Sequence, residues 1–548
     1  MGVKRNMAFL LSGTALGIGV LAAAPAFAQE APSKQQPSKQ QLQREINSLQ
    51  QQLEQMKSQQ ISGLYDQAPP PLAAKEPSWF GGVHISLAGT FIEAATVWRQ
   101  HNEVSSGASD PAFSSLPFSN SPLYYENEWR ASAQQSRLAA KFSGDIDPTQ
   151  HLAAYYESDF LGAGTTANSR ESNSYNLRVR QAWLSYDNDN YHFHMLAGQG
   201  WSMLTQNRVG ITPLYENVPL TIDAQYVTGF NWARQEQLRF VEDWNQIAWF
   251  GVSVESPQAA PGGIVPGSGP AFPFVVNAVN NCNPGGLLDS ATYCSNDIAP
   301  DFVEKIALDP GWGHYEVVGI ERFFGDVVSP YVSATTPASW SQTVNTGWGV
   351  GGSFLVPAIP RYLDLQGSVL TGRGIGRYGS AQLPDVTYGA DGSLQPLPET
   401  QVLLGAVAHP WDGLDVYVYA GQEQVNSNYF GAGSGAGGYG NPAFAENGCL
   451  LENAANPALS PIGGPAFNTP ITGTACTANI KRVQELTVGL WQDAYKGAVG
   501  RVVVGLEYEY VRIDAFPGYG LTTLPGTPNQ GLSPDNNIFF TSIRYYPF

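Results

Sequence analysis

The stretch Val502-Val-Val-Gly-Leu-Glu-Tyr-Glu-Tyr510 decides the fold class. Apolar and aromatic residues occupy every second position, and most positions between them hold glycine or glutamate. Alternation of this kind over about ten residues is typical of a β-strand with one apolar and one polar face. The same pattern recurs at residues 83–87, 138–143, 152–160 and 414–419.

A soluble β-sandwich and a transmembrane β-barrel both produce such runs, and two features favour the barrel. Several aromatic residues lie near the ends of the runs, where the interfacial girdles of a barrel would be. These are Trp79, Phe80, Trp98, Trp201, Trp249, Trp411 and Tyr545. The connections also alternate, with tight turns at 145–148 and 187–190 and long Gly- and Pro-rich stretches at 256–300 and 424–478. We therefore expect an all-β, antiparallel transmembrane barrel of about 16 strands, although 18 strands would also fit.

The composition excludes several other classes of protein. The 548 residues include 59 glycines and 39 prolines, and 12% of the chain is aromatic, which argues against a helical bundle and against a disordered chain. After the first 28 residues no run of 18 apolar residues occurs, so helical membrane spans are not expected. The formal net charge of -18 makes a nucleic-acid partner unlikely.

The beginning of the chain has the features of an export signal. Lys4 and Arg5 precede an apolar stretch, and Ala26-Phe-Ala28 forms a cleavage site of the A-x-A type. Residues 1–28 are therefore predicted to be a signal peptide.

A helical segment is predicted to follow the signal peptide. Leu42, Ile46, Leu49, Leu53 and Met56 are spaced four, three, four and three residues apart, which is a heptad pattern over about two heptads. We interpret residues 29–60 as a short oligomeric coiled coil in the periplasm; a lone surface helix packed on its own chain is the alternative. Residues 61–78 contain Pro69, Pro70 and Pro71 and form a stiff linker, and residues 79–548 form the barrel.

The final residues support export to the outer membrane of a Gram-negative bacterium. Tyr546 and Phe548 end an alternating strand and resemble the C-terminal signal read by the barrel assembly machinery. Arg544 departs from the apolar alternation of that signal.

Several stretches of the chain resemble the trimeric DcaP-like outer-membrane porins, which are distantly related to the phosphate-selective porins O and P. They are Ser136-Arg-Leu138, Leu177-Arg-Val-Arg-Gln-Ala-Trp183, Leu196-Ala-Gly-Gln-Gly-Trp-Ser202, Arg234-Gln-Glu-Gln-Leu-Arg239 and Gly372-Arg-Gly-Ile-Gly-Arg-Tyr378. The resemblance implies a homotrimer of 16-stranded barrels in outer-membrane lipid and lipopolysaccharide, with a loop after Ser202 folded into the lumen. It also implies passive diffusion of small hydrophilic solutes, with a preference for anions. The few lysines argue against a dedicated phosphate channel.

The arginines suggest how a channel for small anionic or neutral solutes would favour small organic anions. Arginine outnumbers lysine 19 to 9, and its fixed planar donor array suits binding of anions. A charge in lipid costs roughly 2 to 4 kcal/mol at the bilayer midplane, so basic residues within strands should face the lumen. The predicted constriction consists of Arg137, Lys141, Arg178, Arg180, Arg234 and Arg239. The alternative is that these residues pair with Glu157, Asp159 or Glu236 and only hold the inner wall. Arg234 and Arg239 are five residues apart, which places them on opposite faces of an ideal strand unless one of them lies in a turn.

The four cysteines lie in two long loops, Cys282 and Cys294 in one and Cys449 and Cys476 in the other. In an oxidising compartment we expect disulfides, with local pairing within each loop favoured among three possible connectivities.

Two other functions remain open from the sequence. The long loops allow a barrel that acts as an adhesin or receptor, and a barrel enzyme is the third possibility. No G-x-S-x-G stretch occurs, Gly372-x-Gly374-x-Gly376 lacks a βαβ context, and His192 with His194 has no third ligand nearby. Enzyme activity, a cofactor and a metal site are therefore not expected.

Overall fold

The computed structural model describes most of the chain after residue 77. The described residues are 78–80, 82–103, 113, 116–119, 121–162, 176–223, 226–263, 274–276, 298–330, 339–431, 435–444, 479–518 and 532–547. The predicted signal peptide, coiled coil and all four cysteines lie outside them, as do most of the linker and Phe548.

Almost all regular structure in the described residues is β-strand. The strands are β1 (Ser78–Phe80), β2 (Val83–Ser86), β3 (Ile92–Arg99), β4 (Glu128–Ser132), β5 (Leu138–Asp147), β6 (Gln150–Gly162), β7 (Asn176–Asn188), β8 (Phe193–Trp201), β9 (Arg234–Trp244), β10 (Ala248–Glu255), β11 (Phe274–Val276), β12 (Asp301–Leu308), β13 (His314–Pro330), β14 (Ser341–Ile359), β15 (Leu363–Arg373), β16 (Val386–Tyr388), β17 (Leu394–Pro396), β18 (Pro398–Trp411), β19 (Leu414–Val425), β20 (Asn428–Phe430), β21 (Gly437–Tyr439), β22 (Ile480–Gly497), β23 (Gly500–Ala515) and β24 (Asp535–Tyr546). Two short 3-10 turns, Pro122–Tyr125 and Gly376–Tyr378, lie in connections.

No helix among these residues combines the length and hydropathy needed to cross a membrane.

The strands pair with their sequence neighbours until the sheet closes on itself. The strand β2 continues as β3 and β4 continues as β5, with Phe91 and Arg137 bridging the two interrupted strands. From β5 each wall strand pairs with the next in antiparallel register, through to β23 with β24. The strand β24 then pairs with β3, Thr541 opposite Thr96. When the interrupted strands are counted once each, the described residues form a closed barrel of sixteen strands, which decides between 16 and 18.

Turns and loops alternate around this barrel as the sequence predicts. The connections at one end are 148–149, 189–192, 245–247, 309–313, 360–362, 412–413 and 498–499. The connections at the other end are 100–127, 163–175, 202–233, 256–300, 331–340, 374–397, 426–479 and 516–534. Short turns at one rim and long loops at the other are typical of outer-membrane barrels.

The apolar side chains of the strands point outward and many polar ones point inward. This is the reverse of the arrangement in a soluble β-sandwich and the one expected of a transmembrane barrel. In β12, Phe302, Ile306 and Leu308 are exposed on the outer surface, whereas Asp301 and Lys305 are buried inside. Polar groups that line an interior and apolar groups that face outward are the arrangement expected of a barrel in lipid.

The aromatic girdle was only partly predicted. Trp411 and Tyr545 are exposed, at 61% and 38%. The expectation was wrong for Trp201 and Trp249, which are buried inside at 4% and 6% exposure. Four exposed aromatic residues that were not predicted lie in or beside the short turns, namely Tyr191, Trp244, Trp312 and Tyr362. Others, such as Trp129 and Trp340, lie toward the long loops.

Candidate functional site

The interior of the barrel contains a long loop, which we call the inner loop and define as residues 202–233. The chain leaves the wall at the end of β8 and rejoins it at β9. Between these points its backbone is bonded by side chains from strands on several sides of the barrel, and Met203, Leu204, Ile211, Leu220 and Ile222 are buried. The loop after Ser202 therefore folds into the lumen, as the resemblance implied.

Carboxylates of the wall accept hydrogen bonds from backbone N–H groups of the inner loop. The bonds run from Asn207 to Glu316 at 2.9 Å, from Ile222 to Glu507 at 2.9 Å, from Thr228 to Glu485 at 2.9 Å and from Gly229 to Glu423 at 2.8 Å. Each of these bonds fixes the direction as well as the distance of a loop N–H group relative to the wall. This network holds the inner loop across the interior.

We call the carboxylates on one side of the interior the acidic sector and define it as Glu423 on β19, Glu485 on β22, and Glu507 and Glu509 on β23. All four side chains are buried. The loop residue Asp223 lies against them. The sequence analysis placed Glu507 and Glu509 on the polar face of a strand but did not select them as site residues. The inner-loop partners of Glu485 and Glu507 are more than 250 residues away along the chain, so no local pattern could have identified this sector.

The opposite charge is concentrated on another part of the wall. We call Arg137, Arg178, Arg180 and Arg234, with Glu157 and Asp159, the basic cluster. It contains four guanidinium groups and two carboxylates.

Two arginines of the basic cluster are bonded closely to its carboxylates. Arg178 donates two bonds to Asp159, at 3.0 and 2.8 Å. Arg180 donates to Glu157 and, at 2.9 Å, to Asp159, and its side chain is only 2% exposed. The predicted pairing with wall carboxylates is therefore present for these two residues.

A β-bulge allows both arginines to point inward. Along β7, Trp183 and Ser185 are buried at odd-numbered positions, and strict alternation would turn Arg178 and Arg180 toward lipid. The register shifts between Glu157, which pairs with Gln181, and Ser158, which pairs with Val179. Arg180 is the extra residue, and an extra residue in one strand re-aims the side chains beyond it.

The other two arginines contact aromatic rings. The guanidinium of Arg234 lies 4.9 Å from the ring centre of Trp201 and 4.5 Å from that of Trp232. Arg137 lies 5.2 Å from the ring centre of Phe91 and 3.7 Å from Glu157, and its side chain is 20% exposed. Stacking on an aromatic face holds a guanidinium without neutralising its charge.

The remaining two predicted residues, Arg239 and Lys141, are not members of the basic cluster. Arg239 is buried and donates to Gln237 and to the carbonyl oxygen of Trp201, at 3.0 and 2.7 Å. Lys141 is half-buried on β5. Arg234 and Arg239 fall at opposite positions of the alternation in β9, but Arg234 is the first residue of the strand and its guanidinium still reaches the interior aromatic rings.

A cavity of about 90 Å³ lies between the basic cluster and the inner loop. Arg137, Arg180, Arg208, Arg544, Glu157 and Glu216 are among its lining residues. Burial raises the pKa of the loop residue Glu216 to about 7. Near that pH this carboxyl is only partly ionised, so the arginines dominate the charge of the cavity lining.

Arg544 explains the irregularity in the C-terminal pattern. It is buried, donates to Glu93 at 2.8 Å and to the carbonyl oxygen of Ile222 at 2.8 Å, and lies 5.0 Å from the ring centre of Phe91. An arginine at this position fixes the closing strand and the inner loop to each other. Further buried networks of the interior include Lys305 with Glu316 and Arg322 with Asp301 and Asp385.

Histidines near the short-turn rim each lie between two carboxylates. His194 contacts Asp187 and Asp243 at 2.7 and 3.2 Å, and His409 contacts Asp415 and Asp364 at 2.5 and 3.4 Å. The sequence analysis considered His194 only with His192 and did not identify these aspartates.

The chain was compared with known proteins and solved structures. No family model and no curated protein matches it. Among solved structures, the outer-membrane channel DcaP of Acinetobacter baumannii aligns with a TM-score of 0.54 at 15% identity, over 86% of this chain and 99% of that one.

The chain has the fold of this outer-membrane channel. The resemblance drawn from the sequence is thereby confirmed at the level of the fold. Weaker likenesses include OmpT of Vibrio cholerae, with a TM-score of 0.40, 9% identity and coverage of 86% and 100%. An anion-selective porin from Comamonas acidovorans gives 0.41, 10% identity and coverage of 84% and 99%. These last two scores are too low to support an argument.

Proposed function

We propose that the protein is an outer-membrane porin through which small hydrophilic solutes diffuse passively. The observation that carries this proposal is a closed sixteen-stranded barrel whose polar face points inward and whose inner loop narrows the interior. A barrel of this size is wide enough for an aqueous channel, whereas an eight-stranded one is filled by its own side chains.

We further propose that small organic anions are favoured over cations. The net charge of the whole chain, -18, would suggest the reverse. Selectivity in channels is set by the groups at the narrowest part of the path, however, and not by the total charge. The basic cluster has four guanidinium groups against two carboxylates, which supports a local excess of positive charge beside the inner loop.

The contacts suggest which arginines a passing anion would meet. Arg178 and Arg180 already have carboxylate partners and are held in place by them. Arg137 is the more exposed of the cluster's cavity-lining arginines, and its interaction with Glu157 is longer, at 3.7 Å. A partly exposed arginine held at a fixed place attracts anions without binding them so tightly that they cannot leave. We assign Arg137 the largest role, with Lys141, Arg234 and Arg239 contributing charge at longer range.

The experiment is a reversal-potential measurement in a planar bilayer under a KCl gradient. We expect an anion-selective conductance, and for Arg137→Gln a fall of about threefold in the anion-to-cation permeability ratio. Lys496→Gln, which removes an exposed charge near a short turn, is the matched control and should not change the ratio.

Absence of conductance would reject the porin and leave an adhesin or receptor as the better interpretation. A cation-selective wild type, or an Arg137→Gln variant that behaves like Lys496→Gln, would reject the arginine constriction and leave a nonspecific pore.

We also propose that the protein is a homotrimer in outer-membrane lipid and lipopolysaccharide, with its N-terminal segment in the periplasm. A row of small residues crosses the outer surface where the barrel closes. It is formed by Thr541, Thr96 and Ala131. Small side chains let a neighbouring barrel approach closely. Residues 29–60 would strengthen the trimer without creating it, because two heptads are too few to dominate.

Native mass spectrometry and thermal melting in detergent test the trimer. We expect trimers for the full chain, and trimers that dissociate at lower temperature after deletion of residues 29–60. An unchanged melting profile would contradict the coiled coil, and a monomeric full chain would contradict the trimer.

A further inference from the structure

Three carboxylates meet at the point where the inner loop contacts β23. Asp223 comes from the loop, and Glu507 and Glu509 lie two residues apart on one face of the strand. One oxygen from each lies within 4.8 Å of the others. The side chains are 0%, 4% and 0% exposed, so water cannot screen their mutual repulsion.

Two of these carboxylates have hydrogen-bond donors and one does not. Glu507 accepts bonds from the N–H of Ile222 and, at 2.7 Å, from the hydroxyl of Tyr417. Asp223 accepts a bond from the N–H of Tyr226 at 2.6 Å. Neither oxygen of Glu509 has a hydrogen-bond partner among the described residues. A buried carboxylate left without a donor is costly, and none of the described residues places a cationic group at hydrogen-bond distance from Glu509.

The neighbouring groups do not supply that partner. Arg99 acts electrostatically on Glu509, but its guanidinium is engaged with Glu103 and Glu128 at 3.3 and 3.0 Å. Glu485, a further carboxylate that acts on Glu509, is occupied by Thr228 and Thr487. The surroundings therefore add negative charge and do not remove it.

We propose that Asp223, Glu507 and Glu509 bind a calcium ion, which fixes the inner loop to the wall of the barrel. Calcium takes six to eight oxygen ligands at about 2.3–2.6 Å, so oxygens on opposite sides of the ion are separated by about 5 Å. The 4.8 Å within which the three ligand oxygens lie fits that sphere. Magnesium is smaller and usually keeps several waters, which a dense set of buried carboxylates suits less well. The site goes beyond the proposed porin function and does not depend on it.

The first experiment measures calcium in the wild-type protein, purified in detergent without chelator. Elemental analysis should find about one calcium per chain. The melting temperature should be higher in CaCl₂ than in EDTA, because a ligand that binds only the folded state stabilises it. Wild-type protein without calcium and without a calcium-dependent melting temperature would overturn the proposal, whatever the behaviour of any variant. An equal or larger rise in MgCl₂ would also overturn it.

A charge-removing variant provides the second experiment. Glu509→Gln should bind calcium at least about tenfold more weakly. In EDTA the variant should melt at a higher temperature than the wild type, because one repelling charge is gone, whereas in CaCl₂ it should lose this advantage. The matched control is Glu399→Gln, which should keep wild-type calcium binding. Glu399 is also a buried carboxylate, on β18, and accepts a hydrogen bond from the N–H of Ile375. Unchanged calcium binding by Glu509→Gln would refute the assignment.

Discussion

The basic cluster and the acidic sector lie inside the same barrel and satisfy their charges in different ways. In the basic cluster, Arg178 and Arg180 on β7 are paired with carboxylates of β6, the neighbouring strand. In the acidic sector, Glu423 and Glu507 accept hydrogen bonds from backbone N–H groups of the inner loop. The ion pairs of the first arrangement join two strands of the wall, although Arg178 also lies 5.8 Å from the ring centre of Trp232 in the inner loop. The second arrangement makes the wall depend on a loop folded across the interior.

This difference has an energetic consequence. When one partner of a buried ion pair is removed, the other charge stays buried without an opposite charge beside it, which lowers the free energy of unfolding. A carboxylate that holds a loop can lose its charge and keep part of its bonding, since an amide oxygen still accepts from N–H groups. We therefore expect substitutions in the basic cluster to change stability more than substitutions in the acidic sector.

The largest effect should come from Arg180→Met. This change leaves Glu157 without its close arginine, with only Arg137 at 3.7 Å, and leaves Asp159 with Arg178 as its one close arginine. We expect the free energy of unfolding to fall by about 3–5 kcal/mol, as for a broken buried ion pair. Denaturant unfolding of the protein in detergent measures it.

The double variant Arg180→Met with Glu157→Gln is the control for that prediction. It removes the buried charge that the single variant leaves alone, and should recover part of the loss. A fall of less than about 1 kcal/mol in the single variant would show that the pairing within the wall contributes little.

A smaller effect is expected for Glu423→Gln in the acidic sector. Glu423 receives the N–H groups of Gly229 and Ala381 at 2.8 and 3.1 Å, so it joins the inner loop to residues 374–397. Weakening these bonds should lower the free energy of unfolding by about 1–3 kcal/mol and raise the noise of the channel current as the loop loosens.

Asp412→Asn, an exposed residue in a short turn, makes the same chemical change away from the interior and should alter neither quantity. If Glu423→Gln destabilised the protein more than Arg180→Met does, the proposed contrast between the two regions would be wrong.

The fold was largely predictable because its signal is local. The alternation of Leu152, Tyr156 and their neighbours follows from the geometry of a single strand, in which successive side chains point to opposite faces. It identified the outward face correctly. The tight turns predicted at 145–148 and 187–190 from their Asp, Asn and Pro residues lie slightly later, at 148–149 and 189–192, because the strands extend through Asp147 and Asn188. The predicted arginines were also brought into the interior, although their roles in conduction remain proposals.

Features that depend on the register or on distant contacts were not predictable. Trp201 and Trp249 lie near the ends of strands, as girdle residues do, but their positions in the alternation of each strand turn the side chains inward. The inward direction of Arg178 and Arg180 depends on the bulge at Arg180, which has no reliable sequence signature. The acidic sector was not predicted as a site, because the local sequence around a glutamate on a polar face is the same whether its carboxylate faces water or accepts hydrogen bonds from a loop.

The sequence by itself determined the barrel class, the strand faces and the alternation of short turns with long loops, because these depend on residues next to each other and on the lipid that surrounds them. Only the tertiary structure decided the number of strands, the position of the inner loop and the partners of each buried charge. Glu507 and Ile222 are 285 residues apart, and Arg544 and Ile222 are 322 apart. Closure of the sheet brings such residues together, and only then can one carboxylate or guanidinium be matched to its partner by distance and direction.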